Sequence, residues 1–140
     1  MNNSEKHICV KSQHSELDRI RNFVQTEAHK FGFDEKISYQ ISLAVDEACT
    51  NLINYAYNKR TDQDICIKLD KKLEELIIKI YDDGEPFDPS RVESPNMKEY
   101  RKKMKRGGLG IHIIKLVMDK INYYPSENNK NILELRKKIA

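Results

Sequence analysis

Two alternating runs, DICIKLD (64–70) and ELIIKIYDD (75–83), restrict this chain more than any other feature, and only the charged KKLE (71–74) separates them. Apolar, largely β-branched residues recurring at every second position fit a pleated strand with one buried face. Two such runs joined by a short charged segment predict an antiparallel hairpin. INYYP (121–125) and ILELRKKI (132–139) predict a closing hairpin across SENNKN (126–131), and HICV (7–10) suits a short opening strand.

Between these strands the period changes from two to that of a helix. Ser15, with Asp18 three residues on, predicts a capping-box start to a helix whose inward residues are Leu17, Ile20, Phe23 and Val24 and whose end is near Gly32. A second helix is expected from Asp34, with Asp34 and Glu35 at the positive end of its dipole. Its inward stripe is Ile37, Ile41, Ala44, Val45, Ala48 and Leu52. DGEPFDPS breaks the pattern, and residues 90–106 lack a clean period and read as a mobile loop. GGLGIHIIKLVMDK reads as a glycine-rich turn feeding a third helix. The order β-α-α-β-β-loop-α-β-β favours an α+β two-layer sandwich over a doubly wound α/β fold: a mixed, mostly antiparallel sheet with helices on one face.

A length of 140 residues suits a single domain, 1–140, with one core. Hydrophobic residues make up 39% and charged residues 34%, and no apolar run is long enough to span a bilayer. MNNSEKHICVKSQHSE has neither the apolar core nor the cleavage site of a secretory signal, so a cytoplasmic protein is expected. Cys9, Cys49 and Cys66 are odd in number and form no CxxC pair, and are read as reduced thiols rather than a disulfide framework or zinc site. The net charge of +3 argues little for nucleic acid, although KEYRKKMKR (98–106) carries six basic residues against one acidic. That segment is read as a solvated, phosphate-facing or partner-facing lid.

Three clusters can carry chemistry. In DEACTNLINYAY (46–57), Glu47 and Asn51 are four apart and share a helix face, with Asn54 extending the polar strip. Alone, that strip reads first as the solvent boundary of an amphipathic helix. In YDDGEPFDP (81–89), a carboxylate at a strand end precedes Gly84, which permits a tight turn and a close backbone approach. In RGGLGIHII (106–114), glycines open a helix whose free N–H groups can meet an anion. This is neither a Walker A loop nor a dinucleotide fingerprint.

Together and in this order, the clusters resemble the ATP-binding domain shared by sensor histidine kinases, type II topoisomerases, heat-shock chaperones and mismatch-repair ATPases. The likeness is nearest to the small anti-sigma-factor serine/threonine kinases of bacteria. DEACTNLINYAY is similar to the family's N-box, DDGEPFDP to its first glycine box and GGLGIHIIKLVMDKINY to its second. The resemblance implies the Bergerat ATP-binding fold, with ATP and Mg²⁺ as cofactors. It implies that Asn51 binds the magnesium, that Glu47 is the general base, and that Asp82 accepts a hydrogen bond from the adenine amino group beside Gly84. It further implies that Gly108, Leu109 and Gly110 line the phosphates and that Arg106 is a lid cation reaching the γ-phosphate. Tyr55 stands where many such kinases have histidine, and KNILEL replaces a threonine-containing strand that supports the adenine. No dimerisation helix with a phosphoacceptor histidine accompanies the domain, so a complete sensor kinase is not expected.

The implied function is transfer of the ATP γ-phosphoryl to a serine of an anti-sigma-factor antagonist, with a sigma factor as second partner and a homodimer as the assembly. Membrane and nucleic-acid partners are not expected. The alternative is a nucleotide-switched binding module with little or no kinase activity, and a third reading is the ATPase part of a larger assembly.

Overall fold

A computed structural model describes residues 5–84, 108–126, 128 and 130–139, with the backbone alone for 108–112. The predicted mobile loop and Arg106 lie outside the described residues. The elements are β1 (Lys6–Lys11), α1 (Leu17–Phe31), α2 (Glu35–Asn51), β2 (Asp64–Lys72), β3 (Glu75–Asp82), α3 (Gly108–Val117), β4 (Lys120–Pro125) and β5 (Asn131–Lys138). The order and type of these elements are those expected from the periodicities.

The strands form one sheet in the order β1-β2-β3-β5-β4. Every pairing among the described strands is antiparallel, so the expected mixed sheet is corrected. Sequence alternation left strand order open, and β5 enters between β3 and β4 so that both of its neighbours run opposite to it.

One sheet face is aliphatic. Ile65, Ile67 and Leu69 of β2, Leu76, Ile78 and Ile80 of β3, and Leu133 and Leu135 of β5 are buried. They share a core with Ile20, Val24 and Ala28 of α1 and with Ile41, Ala44, Val45 and Ala48 of α2. Each fully buried aliphatic side chain contributes about 1.5–3 kcal/mol, so this layer contact is what holds the helices to the sheet. The helices of the shared core therefore occupy a single side.

Helix ends follow local chemistry. Asp34 caps α2, its Oδ1 accepting from the Ile37 N–H at 2.8 Å. Gly32 ends α1 at φ 131°, a backbone conformation that favours glycine. The expected Ser15 cap does not form. Ser15 lies in a 3₁₀ turn, His14–Glu16, and its hydroxyl faces the Gln13 side chain while α1 starts without a side-chain cap.

The reading of the cysteines is also corrected. Cys9 and Cys66 face one another in the β1–β2 register and form a disulfide, with Cα atoms 4.1 Å apart. Neither an odd count nor the absence of CxxC bears on such a pair, because antiparallel pairing joins residues 57 positions apart. Cys49 remains a buried free thiol.

Candidate functional site

Glu47 and Asn51 lie in the last turns of α2, which gives way after Asn51 to a π-helical turn, Leu52–Ala56. Asn51 closes the regular helix and is 4% exposed, with an Oδ1 that has no hydrogen-bond partner among the described residues. A buried, unpaired amide oxygen costs on the order of 1–3 kcal/mol unless something binds it. Glu47, one turn earlier, is half-buried; burial raises its pKa and the neighbouring Asp46 raises it further.

Asp46 faces α1, where Arg21 Nη1 lies 3.3 Å from its Oδ2 while Arg21 Nη2 pairs with Asp18. Its Oδ1 is buried without a partner among the described residues, and desolvation keeps its pKa raised despite Arg21. Beyond Asn51 the wider π turn shifts side chains from their α-helical bearing. Asn54 consequently does not extend the strip into the pocket but meets His14 Nε2 at 3.1 Å.

Asp82, the last residue of β3, is 3% exposed, and its Oδ1 accepts from the Gly84 N–H at 2.8 Å and from Asn131 Nδ2 at 3.0 Å. Burial raises its pKa while those two donors oppose the rise. A Cβ on Gly84 would stand 2.7 Å from the Ala56 carbonyl oxygen, so the turn after β3 lies directly on the π turn and admits no side chain. Tyr57 secures this junction: its hydroxyl donates to the Asp64 carbonyl at 2.6 Å and accepts from the Asp83 N–H at 2.7 Å.

Asn51 and Asp82 meet at one pocket, whose other walls are Ala48 and Leu52, Ile114 of α3, Tyr123 of β4 and Leu133 of β5. The lining is mainly apolar, with an amide oxygen at one place and a carboxylate at another. Helix α3 begins at Gly108, so Gly108, Leu109 and Gly110 form its first turn, where backbone N–H groups have no intrahelical partner.

The structure thus brings Asn51 and Asp82 together and places Gly84 beside Asp82, with Glu47 one turn from Asn51. Sequence reasoning missed Tyr57, Tyr123 and Asn131. Alternation along β5 does place Asn131 on the face of Leu133 and Leu135, and a polar residue on a buried face was the available signal.

The residues present fit a magnesium nucleotide. No group of three or more His, Cys, Asp or Glu among the described residues is arranged around a metal. A magnesium ion here would take Asn51 Oδ1 as a hard neutral ligand and fill its shell with phosphate oxygens and water.

The fold is an α+β sandwich with a polar-edged pocket between its layers, and the family model for the histidine kinase-like ATPase domain matches residues 10–137. The chain belongs to that family. Within it, relatives of this chain are serine-protein kinases called RsbW. That of Oceanobacillus iheyensis is 31% identical over 98 residues, 67% of this chain and 62% of the relative. That of Listeria innocua is 26% identical over 127 residues, 81% of each chain, and that of Bacillus subtilis 24% over 128 residues, 86% of this chain and 79% of the relative.

Solved structures share the fold. The RsbU and RsbW domains from Mycobacterium tuberculosis superpose with a TM-score of 0.67 at 11% identity, over 98% of this chain and 32% of that one. The SiaB–SiaC complex from Pseudomonas aeruginosa gives 0.60 at 14%, over 92% and 86%.

Proposed function

We propose that this chain is an ATP-dependent serine-protein kinase and anti-sigma regulatory factor. It transfers the γ-phosphoryl of ATP to a serine of an anti-sigma-factor antagonist. The observation that carries this reading is Glu47, a carboxylate made more basic by burial, one turn from the unpaired Asn51 oxygen on the pocket wall. A module that only binds nucleotide needs Asn51, Asp82 and the glycines but has no use for such a base.

In this reading Asp82 accepts from the adenine amino group, and Leu52, Ile114, Tyr123 and Leu133 enclose the ring and exclude water. Gly84 keeps the approach open, and the first turn of α3, at Gly108, Leu109 and Gly110, offers N–H groups to the phosphates. Arg106 supplies a cation to the γ-phosphate. Magnesium, when bound, offsets phosphate charge. Glu47 takes the proton of the seryl hydroxyl as its oxygen bonds to the γ-phosphorus and the bond to the bridging oxygen breaks, releasing ADP.

Protein partners are supported by the relatives' names and by a structural neighbour that is itself a two-protein complex. A sigma factor as second partner, a homodimeric assembly and a cytoplasmic setting belong to the same proposal. No helix among the described residues is long and apolar enough to cross a membrane.

The test is transfer from γ-labelled ATP with Mg²⁺ into native extract, comparing wild type with Glu47→Gln at saturating ATP. A labelled seryl protein is expected, with transfer by the variant falling about 10²–10⁴-fold. If wild type binds ATP and captures a protein but labels nothing, the nucleotide-switched binding module is the correct reading.

A further inference from the structure

We propose that Asn131 is the positioning residue that fixes the Asp82 carboxylate as an acceptor-only reader of the nucleotide base, and so sets selection for a 6-amino over a 6-oxo purine. The inference rests on the function proposed above and goes beyond it, because nothing in that reading requires Asn131.

The argument starts from what an amide nitrogen can do. It carries two hydrogens and no acceptor. Asn131 Nδ2 uses them on Asp82 Oδ1 at 3.0 Å and on the Gly84 carbonyl at 2.9 Å. Asp82 Oδ1 also accepts from the Gly84 N–H at 2.8 Å, so one side chain closes the 82–84 turn on both sides.

Two donors on Oδ1 fix the rotation of the carboxylate and leave Oδ2 as the oxygen that takes no donor from the described residues. Asp82 lines the pocket, and with Oδ1 taken by two donors, Oδ2 is assigned to the ligand in this proposal. The same donors favour the ionised form of a carboxyl that burial alone would push toward protonation. An ionised carboxylate can only accept. It attracts an exocyclic amino group and repels a carbonyl at the same position.

Asn131 is itself 9% exposed, at the first position of β5 and paired in register with Asp82. Its backbone is held by the sheet, which gives the amide a fixed base. Lys130, the preceding residue, contacts Asp83 instead, at 3.0 Å, so the neighbouring cation does not replace this contact.

The experiment measures dissociation constants for ATP and for inosine triphosphate, which differ at purine position 6, on wild type, Asn131→Ala and Asn131→Asp, with thermal melts of each. Wild type is expected to prefer ATP at least tenfold, the least that a hydrogen bond to a charged group provides. In both variants that preference should shrink by about tenfold, mainly through weaker ATP binding. A merely structural role would weaken both nucleotides by the same factor and leave the ratio unchanged, which would overturn the proposal. Should the Ala variant fail to melt cooperatively, the ratio is read on Asn131→Asp, which keeps the volume. Failure of both variants to fold also overturns it, since a residue that orients one carboxylate is dispensable to the core. If wild type binds neither nucleotide, the proposed function itself fails, an outcome distinct from an unchanged ratio.

Discussion

Asp82 is a carboxylate that folding places at a disadvantage. Burial raises its pKa above the ordinary value, so the native chain holds the Asp82 proton more tightly than the unfolded chain does. Ionised Asp82 therefore subtracts from stability above its folded pKa, and the penalty fades as pH falls through that pKa into the ordinary carboxylate range. Asp82→Asn is expected to melt a few degrees higher than wild type at about pH 7, to lose that advantage near about pH 4, and to bind ATP more weakly. Melting curves and ATP titrations check this, and a variant that melts lower at neutral pH would contradict it. Glu47 and Asn51 were legible because their relation is a spacing of four within one helix. The bonds of Asn131 to Asp82 and of Tyr57 to Asp83 span 49 and 26 residues, and no local pattern encodes them.

Among elements, the junction of α2 with the end of β3 decides the site. The π turn displaces Asn54 from the strip that α-helical spacing predicts, and its Ala56 carbonyl leaves room only for a glycine at position 84. Strands and helices were readable because each carries its own period. The Ser15 cap was not, because a 3₁₀ turn competes for the same residues. The Cys9–Cys66 bond was equally hidden, since it depends on the register between distant strands. Closing 57 residues of chain removes unfolded-state entropy worth about 4 kcal/mol in the loop-closure model. Oxidised wild type should therefore show a higher urea midpoint than either reduced wild type or Cys9→Ser, with the latter two alike. Equal midpoints in all three would show that the crosslink contributes nothing. Alkylation of intact cells followed by mass spectrometry measures whether the bond persists in the cell, and two alkylated thiols there would show a reducing compartment.

For the whole molecule, the α+β sandwich with helices on one face followed from the alternation of periods, whereas strand order did not. That order has a consequence for how the protein is made. β5 follows the other four strands in sequence yet lies between β3 and β4. On the ribosome, β3 keeps an unpaired edge and β4 has no partner among the described strands until β5 leaves the exit tunnel. Asp82 waits for Asn131 over the same interval, so the pocket is completed only once β5 has emerged. Nascent chains arrested before residue 131 should remain protease-sensitive with or without ATP, and those released beyond residue 139 should be resistant. Protection of the shorter chains would show that the sheet does not need its final strand. Until then, synthesis yields a helical half with an open sheet, a natural client for chaperones at the tunnel mouth.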